Sequence, residues 1–187
     1  MSWNATRLGA ASAWGVLGFV LNVGIGLPII LATGIPAGAF PVMLFLFPMM
    51  VIMCGLLIPL FPSCTIAMAV WLILALSVPI MGPPGFLPKI IVGVGAGLVL
   101  DVFLLFLRNR ERIASIVGGL LVDIVALALA ASIFYFFLPA EAAMKFIELL
   151  TLAFVLAVIL GPAGGFVGWK IFDRIRDRAI VVRLRGE

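Results

Sequence analysis

The sequence predicts an all-α fold, a polytopic membrane bundle of six transmembrane helices forming a single integral membrane domain over residues 1–187. Three observations carry that prediction. Of the 187 residues, 65% are hydrophobic and only 11% are charged, which inverts the balance of a soluble domain. Between Arg7 and Lys89 there is no Asp, Glu, Lys or Arg, and a soluble core of this size would not leave so long a run without a solvating charge. Turn-forming residues then divide the chain at the pitch a bilayer demands, roughly 20 residues for about 30 Å of hydrocarbon at 1.5 Å per residue.

The first span is expected at 10–33, ended by "TGIPAG". Arg7 and the "AGA" of 37–39 imitate a secretory signal, but the apolar stretch is longer than a signal core, and the segment is read as a retained span. The second is expected at 38–59, closed by "PLFPS". Pro28 and Pro48 lie inside these two spans, where packed neighbours can satisfy a freed carbonyl. The third is expected at 63–81, ended by "MGPPGFLPK", and the fourth at 86–107, ended by "RNRER". The fifth runs over 113–138 to "LPAEAAMK", and the sixth over 142–172, followed by a short basic tail at 173–187. Connections this short make sequential helices neighbours.

Orientation follows from the cations. With six spans, Arg7, the cluster Arg108, Arg110 and Arg112, and the set Lys170, Arg174, Arg176, Arg178, Arg183 and Arg185 fall on one side. Only Lys89 and Lys145 fall on the other. The positive-inside rule places both termini in the cytoplasm, with the cell membrane as location. The net charge of +4 therefore reports topology and gives no reason to expect nucleic acid as a partner.

Several chemistries are excluded by what is missing. Histidine is absent, and Cys54 and Cys64 lack metal-ligand spacing, so neither a metal nor another cofactor is expected. There is no G-x-x-x-x-G-K-[ST] phosphate loop, so ATP hydrolysis by that route is absent, and no H-E-x-x-H or G-x-S-x-G motif. No catalytic residue is assigned, and the chain is not expected to be an enzyme.

The polar and small residues form three groups. Gly93, Gly97 and Asp101 recur at i, i+4 and i+8, a glycine ridge on one face of the fourth span that admits a neighbouring backbone and points Asp101 into the bundle. Asp123 follows Gly119 in the same way in the fifth span. Antiparallel neighbours joined by "RNRER" would hold the two carboxylates at similar depth, either as structural groups or as a coupling site, with Lys170 and hydroxyls such as Ser115 as candidate partners of the pair. On the opposite side of the membrane, Glu141, Lys145, Glu148 and Thr151 make a polar stripe at the start of the sixth span. Lys89, Glu148 and Thr151 would line a pocket for a small polar solute, with Asn22 and Tyr135 as further candidates. Finally, Gly161 with Gly165, and Gly164 with Gly168, make helix-packing pairs in "GPAGGFVGWKIFDRI", and Gly9, Ala11, Ala13 and Gly15 do so in "GAASAWG".

Six short spans with both ends cytoplasmic, "GPPGFLPKIIVGVGAGLVLD" through the fourth and "GPAGGFVGWKIFDRI" closing the sixth resemble the substrate-binding S-components of energy-coupling-factor (ECF) vitamin transporters. The resemblance implies a substrate-capture membrane subunit for uptake of a vitamin-like micronutrient. It implies as partners a membrane coupling subunit and cytoplasmic ATPase subunits that supply ATP hydrolysis. It also implies a docking face at Gly9, Ala11, Ala13 and Gly15, and a ligand pocket between the outer loops and the last three helices that brings Lys89, Tyr135, Glu148 and Thr151 forward. The absence of histidine sets the chain apart from the cobalt and nickel branch. Two other classes fit the residues: a small membrane assembly protein acting through helix packing, and a lipid-modifying enzyme using the buried carboxylates. Uptake predicts that Glu148→Ala or Lys89→Ala abolishes solute binding, and an enzyme predicts lipid turnover lost on Asp101→Asn.

Overall fold

The structure, a computed structural model, describes residues 2–34, 36–79, 84–137 and 139–185, with the backbone alone at 36, 37, 140, 142, 143, 145 and 146. Among these residues there are seven α-helices and no strands. They are α1 (Ala5–Thr33), α2 (Phe40–Leu57), α3 (Ser63–Ala75), α4 (Pro88–Phe106), α5 (Glu111–Phe137), α6 (Ala140–Ile175) and α7 (Ala179–Arg185), with a 3-10 turn at Pro36–Ala39 before α2.

The helix ends follow local chemistry. Asn4 caps α1 by accepting the Arg7 N–H at 2.9 Å, which starts the helix earlier than the apolar run alone predicts. Gly34 ends it in the left-handed region at φ 67°, its N–H donating to Ile30 O. Prolines open α2 and α4, where a missing N–H costs nothing. The sixth helix rises about 54 Å by its 36 residues, so it runs beyond a bilayer's thickness into the basic tail, where α7 follows.

Five of these helices, α1, α2, α4, α5 and most of α6, are long and apolar enough to cross a membrane. The exception is α3. An unbroken span over 63–81 is expected from hydropathy, but the helix stops at Ala75, a rise of about 20 Å. The chain there changes to a turn of i→i+3 bonds, Leu76 N–H donating to Ile73 O, Ser77 N–H to Leu74 O and Val78 N–H to Ala75 O, and Pro79, which disfavours a helical Val78 and has no N–H of its own, keeps the helix from resuming. Residues 76–79 turn away, and the expected end at Met81 lies outside the described residues, as does Leu138 of the fifth span.

The helices close into a ring. α1 packs on α3 and α2, α3 on α4, α4 on α5, α5 on α6 and α6 on α2, with α2 also touching α5 and α3. Most of α2 is buried, and it forms the centre of the core around Phe47, Val51, Ile52 and Cys54. Burial is inverted relative to a water-soluble protein. Leu31, Phe106, Phe136 and Ile159 are exposed, while Asn22, Ser63, Lys89, Asp101, Ser115 and Asp123 are buried. This distribution and the five long apolar helices identify a multi-pass helical membrane bundle.

Glycines let the helices approach. A Cβ at Gly97 would lie 2.7 Å from Thr65 Cα, one at Gly93 would overlap Leu72, and one at Gly161 would lie 2.7 Å from Gly119 O. Gly165 rests against the Ser115 carbonyl, Gly164 against that of Phe45, and Gly168 against that of Met49. The six glycines expected to pack helices thus seat α4 on α3, and α6 on α5 and α2.

One end of the ring is tied by the chain ends. Arg7 Nε donates to Leu184 O at 2.8 Å and its Nη1 to Ser2 O at 2.6 Å. Arg185 pairs with Glu111 at 3.1 Å, reaches Leu56 O at 3.3 Å and covers the Phe172 ring. Both described termini therefore sit at the end where Arg108, Arg110 and Arg112 join α4 to α5.

Candidate functional site: an internal cavity above a shortened helix

Because α3 is short, α4 meets both of its ends. Near the C-terminus of α4, the Asp101 carboxylate accepts from the backbone N–H groups of Cys64 at 2.9 Å and Thr65 at 2.8 Å. It also accepts from Thr65 Oγ1 at 2.7 Å and Ser63 Oγ at 3.4 Å. The residue that precedes α3, Pro62, makes no side-chain cap, so a carboxylate from another helix supplies one where the helix dipole favours negative charge. At the other end, the Lys89 ammonium donates to Ala75 O at 3.3 Å and Val78 O at 3.1 Å. It adds a charged donor to the Ala75 carbonyl, which also accepts the Val78 N–H at 3.3 Å, at the negative end of the dipole. The Gly93–Gly97–Asp101 ridge faces α3 along its length, so Asp101 is a structural cap in this fold.

The space that α3 leaves vacant beyond Ala75 is a cavity of about 330 Å³. Its wall comes from α1, α2, α4, α5, α6 and the connection after α3, and is mainly apolar, with Phe40, Phe47, Phe86 and Phe134 among its members. Phe86 and Phe134 stack with centroids 5.8 Å apart and planes 10° apart. The polar members are Asn22 from α1, Lys89 from α4 and Asp123 from α5. All three are almost completely buried. Asn22 Oδ1 and Asp123 Oδ2 have no hydrogen-bond partner among the described residues. Both oxygens have under 1 Å² of accessible surface, with Asp123 Oδ2 lying against Gly161 of α6, and a buried polar atom without a partner costs free energy.

The structure thus brings together three of the expected site residues, Asn22, Lys89 and Asp123, and keeps the others apart. Tyr135 is exposed, its ring edge-on to Phe136 at 5.5 Å. Glu148 is exposed, and Thr151 is exposed with its hydroxyl donating to Ile147 O at 3.0 Å. The helix turns Leu149 and Leu150 into the cavity, which puts 148 and 151 on its flanks. Glu141 is exposed, and the Lys145 side chain lies outside the described residues.

Asp101 and Asp123 face different elements: the first serves α3, the second lines the cavity and lies against Gly161 of α6. The partners expected for the two carboxylates, Ser115 and Lys170, make other contacts. Ser115 Oγ donates to Glu111 O at 2.7 Å, and Lys170 Nζ stands 5.9 Å from the Phe166 ring centre. The first-helix motif also divides. Ala11 and Gly15 are buried, with Gly15 pressed on the Ala67 carbonyl, while Gly9 and Ala13 remain on the outer face.

The aromatic wall was not singled out by sequence reasoning, although a signal exists. Asp123, Ala126, Leu127, Ala130 and Phe134 recur at i, i+3, i+4, i+7 and i+11, one stripe of α5 in which small residues follow the carboxylate and leave a hollow beside it. Among the described residues no three His, Cys, Asp or Glu side chains gather as a metal site would require. Comparison with protein-family models, with curated proteins and with solved structures yields no match for this chain.

Proposed function

We propose that this protein is the substrate-capture membrane subunit of an ATP-driven micronutrient uptake transporter of the energy-coupling-factor type. In this reading six helices lie in the cell membrane, with α3 as the short sixth. The arginine-rich end and both termini face the cytoplasm, as the positive-inside rule favours. The observation that carries the reading is the cavity of about 330 Å³, a volume within the range of small-molecule sites, whose polar members are buried acceptors and an ammonium. Its position favours solute entry from outside, because it opens beyond the C-terminus of α3, at the opposite end of the bundle from Arg7, Arg185 and the α4–α5 arginines.

ATP hydrolysis belongs to partner subunits in this scheme, because the chain carries no phosphate loop. Gly9 and Ala13, left on the outer face of α1, supply the small-residue surface for a membrane coupling subunit. Calorimetric titration of the purified protein against a panel of water-soluble vitamins tests the reading, together with copurification of an ATPase from the native membrane. Saturable binding and a copurifying ATPase support it. No binding and no ATPase transfers the protein to the class of membrane assembly factors.

A further inference from the structure

The end of the bundle that carries the chain termini holds a hollow separate from the cavity beyond α3, and we infer that it binds the headgroup of an anionic phospholipid. It is open to the surface, measures about 540 Å³, and is walled by the α4–α5 connection, the start of α5 and the end of α6. Arg108, Arg110, Arg112 and Arg176 line it, against the carboxylates of Glu111 and Asp173. Both carboxylates are engaged: Glu111 pairs with Arg185 at 3.1 Å, and Asp173 with Arg176 at 3.3 Å. Arg108, Arg110 and Arg112 are exposed, and among the described residues none of them pairs with a carboxylate.

Ring faces hold Arg112 in place of an acid. Its guanidinium carbon lies 5.3 Å from the Trp169 ring centre and 5.6 Å from that of Phe166, which positions the group and leaves its positive charge without a counter-ion. Three uncompensated guanidiniums beside one hollow repel one another, and a phosphate relieves the repulsion while filling their N–H forks. The surroundings make that phosphate a lipid's. Phe106, two residues before Arg108, and Ile113, next to Arg112, are exposed and apolar, so the arginines begin where the lipid-facing surfaces of α4 and α5 end. Trp169, in the wall of the hollow, is the residue type that settles at headgroup level. A phospholipid places its phosphate among the arginines and its acyl chains along Ile113 and Val117, exposed one turn apart on α5. A soluble phosphate uses the first feature and leaves the second idle. The assignment needs only the membrane bundle and stands apart from solute capture.

Native mass spectrometry tests it, on the purified full-length protein in neutral detergent supplied with equal amounts of dioleoylphosphatidylglycerol and zwitterionic dioleoylphosphatidylcholine. Phosphatidylglycerol is expected to be retained severalfold more. Arg108→Gln, Arg110→Gln and Arg112→Gln should each weaken its retention roughly fivefold, the worth of one cation at an anionic lipid surface. Arg174→Gln and Arg178→Gln, exposed cations at the same end but outside the hollow, should leave it within about twofold. Inorganic phosphate, added at constant ionic strength, should not displace the lipid. Equal retention of the two lipids, or an equal response of all five variants, replaces the site with diffuse surface charge and overturns the assignment. Displacement by inorganic phosphate gives the hollow to a soluble anion and overturns it as well.

Discussion

Lys89 Nζ lies 3.3 Å from the carbonyl oxygen of Ala75, the last residue of α3, which also accepts the Val78 N–H of the following turn. With Asp101 at the opposite end of α3, this contact makes α4 a bracket: its two charged residues stand about 18 Å apart by helical rise and grip a helix about 20 Å long. Each sign matches the end of the dipole that it touches. The bracket lets α3 stop short inside an apolar environment without orphaned backbone groups, and the cavity occupies the length it forgoes.

The N-terminal half of the bracket is tested by Asp101→Ala. Loss of an ionised acceptor from two buried N–H groups and a hydroxyl is expected to cost about 3 kcal/mol. Thermal unfolding in detergent micelles should register a clear fall in midpoint. Asp101→Asn should fall between, since the amide keeps one acceptor oxygen but turns an NH2 toward the helix. An unchanged midpoint for both variants would sink the capping role.

At the other half, Lys89→Met removes a charged donor from Ala75 O and Val78 O and should cost about 2 kcal/mol. Thermal unfolding in detergent micelles should register the loss as a lower midpoint. A midpoint equal to that of the parent protein would show that the ammonium adds nothing to the end of α3.

Glycine substitutions should separate sharply by location. Gly119→Ala and Gly165→Ala drive a methyl into the backbone of α6 and α5 respectively and are expected to cost roughly 1–3 kcal/mol each. Gly24→Ala and Gly9→Ala meet open space on α1, and their effect should stay within about 0.5 kcal/mol. Unfolding midpoints of the four variants, measured side by side, decide this, and a uniform response would contradict the packing.

Solute binding should depend on the cavity wall more than on the polar stripe. Ala130→Phe places a ring in the cavity from the α5 stripe and should abolish binding of any solute while leaving the midpoint unchanged or higher. Glu148→Ala, on the exposed flank of α6, should leave the affinity within twofold. Strong loss on Glu148→Ala with normal binding to Ala130→Phe would move the site to the membrane surface.

Much of this architecture is legible in the residues alone. An uncharged stretch from Arg7 to Lys89 has no solvated alternative to the membrane, and clusters of prolines and glycines divide it, whereas the single Pro28 and Pro48 stay inside helices. The i, i+4 spacing of Gly93, Gly97 and Asp101 was enough to put them on one helix face, because helical periodicity is a local property. The same holds for the paired glycines of α6.

What that face meets was decided only in three dimensions. Hydropathy cannot see that α3 ends at Ala75 in a turn whose carbonyls, those of Ala75 and Val78, are met by a lysine from another helix. Nor does spacing distinguish Asp101, satisfied by the start of α3, from Asp123, left unpaired at a hollow, although both follow a glycine by four residues. Local sequence sets the periodicity and the breaks. Which buried polar groups find partners, and which remain to bind something else, is a property of the neighbours that tertiary packing brings to them.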